Sequence, residues 1–402
     1  MIWLNGGPGC SSLLGFAQEI GPYVLPDDGT EFTYNNHTWN QHANLLFLES
    51  PPGVGFSIND DKDYQYTDEN TANDNYAALI QFLTAFTDYK DNELWITGES
   101  YAGMYIPWFA NKVHDMNQLA NNTKVNFKGI MVGNGVMDMN MVNRNKALYK
   151  FLYERRMVDD DLAAVLIDGC DNDINSPSCQ YAQNKVGEWF NKVNPYDIYG
   201  YCYPPTLSTQ VKSKFHLTRF FLQGTNQGKL ELQSVKGFLS ADQDDQPKFS
   251  SPCVGTASVE DYFNKKSRNT YTTQQAFHIK TNTPWSDCSE KVGNYYQPSQ
   301  NGSIWIYEKL KDHNYQILIY SGDTDSVVSY VETMGYLDKM ELEVEKPWRP
   351  WLISGNQVGG YVTNYKGLNF TTVRGAGHMV PQYRRESAYK FFSYALEGKE
   401  LN

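Results

Sequence analysis

Short apolar runs alternate with longer segments of helical spacing through the first third of the chain. Met1-Ile2-Trp3-Leu4, Leu45-Leu46-Phe47-Leu48, Leu94-Trp95-Ile96 and the run from Phe127 to Asn134 each read as a short buried strand. Between them, Tyr76, Leu79, Ile80, Leu83 and Phe86 form a stripe that predicts a core-packed helix over 71–90. Ile106, Phe109, Ala110, Val113 and Met116 predict a second helix directly after the third strand. Strands alternating with helices predict an α/β fold with a mostly parallel sheet. From 138 to 300 the alternation gives way to helical pieces and Gly/Pro/Asn-rich connections, among them Pro204-Pro205. It returns at Gln316–Tyr320 and Leu368–Val373, and the chain closes on an amphipathic helix striped by Ala388, Phe391, Phe392, Ala395 and Leu396. The pattern divides the chain into an α/β core, 1–137 and 301–402, and an inserted cap subdomain, 138–300.

Composition narrows the function. A net charge of −12 over 402 residues argues against a nucleic-acid binder, which needs a basic face. No run of about 18 apolar residues occurs, so no membrane span is expected. Five of the six cysteines fall in 138–300, as expected of a disulfide-stapled insertion in an oxidising compartment. Cys170 and Cys179 flank a turn-rich loop that a disulfide can close. No Cys-x-x-Cys pair exists, so no zinc site built on cysteines is expected. Asn36, Asn121, Asn301 and Asn369 begin Asn-x-Ser/Thr sequons, which permit glycosylation.

The chemistry gathers at strand ends. Gly98-Glu99-Ser100-Tyr101-Ala102-Gly103 lies between a strand and a helix, the setting of a nucleophile elbow, with Ser100 on a tight turn. The residue after such a nucleophile supplies an oxyanion-hole N–H, which makes Tyr101 a candidate donor. An elbow serine needs a carboxylate and then a histidine, each after a later strand. Ser321-Gly322-Asp323-Thr324-Asp325 follows one such strand, and Gly375-Ala376-Gly377-His378-Met379 follows the other. The pattern alone leaves Asp323 and Asp325 open. The glycine-rich Asn5-Gly6-Gly7-Pro8-Gly9-Cys10-Ser11-Ser12 can present backbone N–H groups to an anion.

Together, Asn5–Ser12, Gly98–Gly103, Ser321–Asp325 and Gly377-His378-Met379-Val380-Pro381 resemble the serine carboxypeptidases, the lysosomal and vacuolar acid exopeptidases. Weaker matches are Trp39-Asn40, Glu49-Ser50-Pro51 with Gly53–Ser57, Gly133-Asn134-Gly135 and Trp285–Cys288. The resemblance implies an α/β-hydrolase fold and release of the C-terminal residue of peptides or proteins through an acyl-enzyme, with no metal or organic cofactor. It assigns Ser100 as nucleophile, Asp325 as triad carboxylate and His378 as base. It assigns the N–H groups of Gly7 and Tyr101 to the oxyanion hole, and Asn5, Gly6, Glu19 and Glu99 to the substrate carboxylate. Two close carboxyls that retain a proton can donate it to that carboxylate, which implies acidic working conditions. The resemblance also puts Met379 in the leaving-residue pocket, with a preference for apolar residues. Its disulfide pattern is Cys10–Cys288, Cys170–Cys179 and Cys202–Cys253.

Two departures accompany these implications. Family members carry further strands and a signal peptide ahead of Trp3-Leu4-Asn5, so the first strands of the sheet are expected to be missing from this chain. Some members have a cysteine three residues beyond the triad aspartate, where this chain has Val328. The implied location is lysosomal, vacuolar or secreted, with peptide C-termini as partners and a homodimer compatible with the family pattern. The alternative function is a serine-carboxypeptidase-like acyltransferase or an esterase with the same triad.

Overall fold

A computed structural model describes residues 1–26, 31–190, 193–200, 257–264, 273–279 and 284–402. Its centre is an eight-stranded sheet. The strands, in chain order, are β1 (Ile2–Leu4), β4 (Leu46–Phe47), β5 (Leu94–Glu99), β6 (Phe127–Gly133), β7 (Gln316–Gly322), β8 (Val344–Ile353), β9 (Gln357–Tyr365) and β10 (Leu368–Val373). The strands β2 (Tyr23–Val24) and β3 (Thr33–Tyr34) pair with each other outside it. Across the sheet the order is β4-β1-β5-β6-β7-β10-β9-β8. The pairs from β4 to β10 are parallel, and β9 and β8 join antiparallel at one edge.

Helices cover both faces, which is why the parallel strands are almost continuously apolar. Alternate residues still choose sides. Ile2, Leu4, Ile96, Ile130, Val132, Ile317 and Ile319 pack with helices α1 (Asp68–Ala85) and α2 (Ala102–Gln118). Trp3, Trp95, Met131, Leu318 and Tyr320 face the other way, toward Trp39 and toward Phe391 and Phe392 of the C-terminal helix Arg385–Leu396. Thr67 caps α1 by accepting from Asn70 N–H. The stripe expected over 71–90 is α-helical to Ala85 and is followed by a 3-10 turn at Thr87–Tyr89. Leu79 and Leu83 are buried, but Phe86 lies past the helix end and is 54% exposed.

The structure adds β8 and β9 to the strands expected from the pattern. Pro347, Pro350 and the charges of β8 disguise it, and the same features suit an edge, where proline leaves no ladder bond unmade. The described part of 138–300 has its own apolar cluster. Helix α3 (Met141–Glu154) contributes Tyr149, Phe151 and Leu152, and the helix Pro177–Phe190 contributes Cys179, Ala182 and Val186. Arg144 of α3 pairs at 2.8 Å with Glu332 of the helix Tyr330–Lys339, both side chains buried. Removing either partner strands a buried charge, typically at about 3–5 kcal/mol. Disulfides join Cys10 to Cys288 and Cys170 to Cys179. Cys202, Cys253 and Pro204-Pro205 lie outside the described residues.

Candidate active site

The elbow follows β5 directly. Ser100 has φ 65°, a left-handed conformation uncommon outside glycine and held here by its surroundings. Its N–H donates to Gly133 O at 2.9 Å, and its carbonyl accepts from Gly103 N at 2.9 Å and Val136 N at 3.0 Å. The two glycines of the motif serve close approach. A Cβ on Gly98 would stand 1.9 Å from Leu4 O, and one on Gly103 would stand 2.4 Å from Val136 O.

Residues 5–9 lie against this turn. A Cβ on Gly6 would stand 2.4 Å from Tyr101 N and 2.8 Å from Ser100 Cβ. Gly7 follows with φ 112°, Gly6 O accepts from Cys10 N at 3.0 Å, and the Cys10–Cys288 disulfide anchors the far end. Backbone N–H groups of residues 6 and 7 thereby share a neighbourhood with Ser100 and Tyr101.

Asp325 and His378 follow β7 and β10, at the same carboxyl end of the sheet. His378 Nδ1 lies 2.7 Å from Asp325 Oδ2, with both side chains buried. The same Oδ2 accepts from Asn134 Nδ2 at 2.9 Å and Val328 N at 3.1 Å, and Oδ1 accepts from Val327 N at 2.8 Å. With Nδ1 committed to the carboxylate, Nε2 is the nitrogen available as base. Asp323 has a different partner: its Oδ1 accepts from Gly375 N at 2.6 Å. Of the two aspartates of Gly-Asp-x-Asp, it is Asp325 that contacts His378.

Beside Ser100 sits a buried carboxyl pair. Asn5 Nδ2 donates to Glu99 Oε1 at 3.1 Å and to Glu19 Oε1 at 3.3 Å. Asn5 Oδ1 in turn accepts from Trp3 Nε1 at 2.8 Å and Gly15 N at 3.0 Å, so the amide cannot flip without breaking both. The two carboxyls stand close enough for each to shift the other's titration. Burial, then the adjacent Glu19 charge, raises Glu99 well above the usual carboxyl range. Burial also pushes Glu19 up to about 7, against the lowering effects of its bonds to Glu99 and Asn5. The Oε2 atoms of both are sealed from solvent without a protein donor among the described residues. At least one shared proton is the low-energy state of such a pair.

Around these groups, Met379 joins Val136, Met139, Tyr196, Val327 and Val328 in an apolar cluster next to His378. Glu49 ties the glycine loop to the 138–300 stretch. It accepts from Ser11 Oγ, from Trp285 Nε1 at 3.1 Å and from Phe56 N at 2.8 Å. Sequence reading had assigned no role to Trp3, Glu49, Asn134 or Tyr196. Of these, Asn134 and Glu49 carried a signal, as the polar residues of Gly133-Asn134-Gly135 and Glu49-Ser50-Pro51 at the carboxyl ends of strands. A groove of about 890 Å³ opens at the amino ends of β1 and β5, lined by Leu46, Phe82, Phe86 and Trp95. It lies at the opposite end of the sheet from Ser100 and is not the reaction site.

Comparison with known proteins gives the family of the chain. The family profile described as serine carboxypeptidase matches residues 1–398. Serine carboxypeptidase-like 22 of Arabidopsis thaliana is 38% identical, over 100% of this chain and 83% of its own length. The lysosomal protective protein of Mus musculus is 34% identical, over 98% and 84% respectively. Among solved structures, Kex1(delta)p, a prohormone-processing carboxypeptidase from Saccharomyces cerevisiae, superposes with a TM-score of 0.70 at 20% identity. That match covers 99% of this chain and 82% of the other, and supports the α/β-hydrolase fold.

Proposed function

The chain belongs to the serine carboxypeptidase family, and we propose that it cleaves the last residue from peptides and proteins through an acyl-enzyme on Ser100. The reading is carried by one observation, the buried carboxyls of Glu19 and Glu99, both bonded by Asn5 beside the elbow. A generic esterase has no use for a buried acid pair that can donate to a carboxylate. An exopeptidase needs a donor there, and a protonated carboxyl supplies one without a buried cation.

In this mechanism the substrate's terminal carboxylate is held by Asn5, the Gly6 N–H and the protonated pair. Ser100 Oγ attacks the last peptide carbonyl while His378 Nε2 takes its proton and Asp325 stabilises the resulting imidazolium. The N–H groups of Gly7 and Tyr101 receive the developing oxyanion. Collapse of the tetrahedral intermediate breaks the C–N bond. His378 returns the proton to the departing amino acid, and water then hydrolyses the ester by the same route. Met379 and its apolar neighbours receive the leaving side chain, so apolar residues should leave faster than basic ones. No step calls for a metal or an organic cofactor.

The described residues 194–198, bonded to the loops of Asp325 and His378, support reading the insertion as a cap over this face. The disulfides fit an oxidising compartment such as a lysosome, vacuole or the cell exterior, the name of the lysosomal relative supports the first of these, and no described helix is long and apolar enough to cross a membrane. The test is mass spectrometry of a peptide digested by the parent enzyme and by Ser100→Ala. A ladder shortened one residue at a time from the C-terminus, absent with Ser100→Ala, is expected. Internal cleavage, or a ladder that survives Ser100→Ala, would overturn the assignment.

A further inference from the structure

Five consecutive residues of the 138–300 stretch, Asn194 to Ile198, lie between the loops that carry Asp325 and His378. They bond to both. On the aspartate side, Pro195 O accepts from Ser326 N at 3.0 Å and Ser326 Oγ at 2.6 Å. Ile198 N donates to Thr324 O at 3.0 Å, and Thr324 Oγ1 donates to Asp197 Oδ1 at 2.7 Å. On the histidine side, the backbone N–H of His378 itself donates to Tyr196 O at 2.7 Å. The Tyr196 ring meets the imidazole edge to face, with centroids 5.1 Å apart.

Space is equally restrictive. A Cβ on Gly377 would stand 2.2 Å from Tyr196 O and 2.7 Å from Asp197 Cβ. The segment is internally braced, with Asn194 Oδ1 accepting from Tyr196 N at 3.0 Å and Asp197 Oδ1 from Tyr199 N at 3.3 Å. Asp197 Oδ1 therefore serves two donors, Tyr199 N just past the segment and Thr324 Oγ1 from the residue preceding Asp325.

We propose that residues 194–198 are a positioning strap for the triad, with Asp197 and Tyr196 its working side chains. The strap fixes the spacing between the Asp325 and His378 loops, and it makes the reactive geometry depend on a segment outside the α/β core. Asp197 acts through Thr324, and Tyr196 acts through the ring and backbone of His378; neither touches the reacting bond. This rests on the triad assignment above but not on the carboxypeptidase reading, because the strap would serve any acyl transfer from Ser100.

Its test uses the full-length protein, a C-terminally blocked ester substrate and an organofluorophosphate that labels Ser100. Asp197→Ala should lower kcat by about ten- to a hundredfold, the scale of sub-ångström to ångström misplacement, with KM within about twofold. Labelling of Ser100 should slow by the same factor. Asp197→Asn, which keeps an Oδ1 acceptor, should restore most of both rates. Thr324→Val deletes the same bond from the other side and decides the matter if Asp197→Ala does not fold. Tyr196→Ala should lose kcat. Parental kcat and labelling in a folded Asp197→Ala or Thr324→Val protein would overturn the proposal, as would an equal loss in Asp197→Asn. Failure of the triad reading looks different, since Ser100→Ala would then retain ester hydrolysis.

Discussion

Asn5→Asp is the smallest change that attacks the carboxylate site. It is isosteric and keeps the Oδ1 acceptor for Trp3 Nε1 and Gly15 N. It replaces the Nδ2 donor, 3.1 Å from Glu99 Oε1 and 3.3 Å from Glu19 Oε1, by a third carboxyl oxygen. Each lost bond to a charged group is worth about 1.5–3 kcal/mol, and contacts this long belong at the low end, so the pair sums to about 3 kcal/mol. The new carboxyl can relieve the repulsion by taking a proton, which raises its folded pKa above the unfolded value of about 3.9. An acid raised on folding costs nothing below its unfolded pKa and destabilises as pH rises above it. The variant should therefore match the parent's stability in strong acid and lose up to about 3 kcal/mol toward neutrality. Substrate binding should follow, with KM for a free-acid peptide up by as much as about a hundredfold near neutral pH, at about 1.4 kcal/mol per decade. The triad is untouched, so kcat should change little. Urea melts and initial rates across a pH series check both arms. An unchanged KM near neutrality, or a fall in kcat with KM unchanged, would refute the reasoning.

Three further outcomes are expected. Replacing Cys10 and Cys288 by serine opens a closure spanning a sequence separation of 278, which the chain-entropy relation values at about 5 kcal/mol; a loss below about 1 kcal/mol in urea melts would mean the bond does not constrain folding. His114 is pushed down by burial, then by His313 and Lys309, so the fold resists protonating it and loses stability as pH falls through the unfolded value of about 6.5. His114→Gln should show a smaller drop in urea midpoint on acidification than the parent, and an equal or larger drop would contradict this. Asn134→Gly keeps the left-handed backbone at φ 40° but removes the donor to Asp325 Oδ2, and should lower kcat by about tenfold with KM unchanged; parental kcat would show the bond to be dispensable.

Much of this molecule was legible because its chemistry hangs on strand ends, and strand ends are marked by abrupt changes from apolar runs to glycine. Ser100, Asp325 and His378 each sit at such a change, and the parallel strands before them are buried on both faces. The strands that escaped notice are those without that signature. β8 is mostly exposed, carries two prolines and is paired on one side only, while β2 and β3 are too short to show any period. Asp323 and Asp325 could not be separated by pattern, because a two-residue offset on a tight loop decides which carboxylate meets His378. The contacts of Glu49 and Tyr196 were not legible, for another reason. Their roles depend on contacts across the chain, with Trp285 and His378, that no local spacing encodes. Trp3 looked like core and is core, but its indole N–H also fixes the orientation of Asn5.

The carboxylate-recognition claim is tested most directly by one peptide in two forms, with a free and an amidated C-terminus. Rates are measured across a pH series with the parent and with Glu19→Gln/Glu99→Gln. In the parent, affinity for the free acid should fall as pH rises through about 7, where Glu19 gives up its proton and the pair gains charge. The amidated form does not use that proton, and its rate should persist to higher pH. In the double variant the amides still donate but no longer titrate, so the alkaline loss of free-acid affinity should vanish even if affinity is lower throughout. Identical pH profiles for the two forms in the parent would contradict the account and return the molecule to the wider class of serine esterases and acyltransferases.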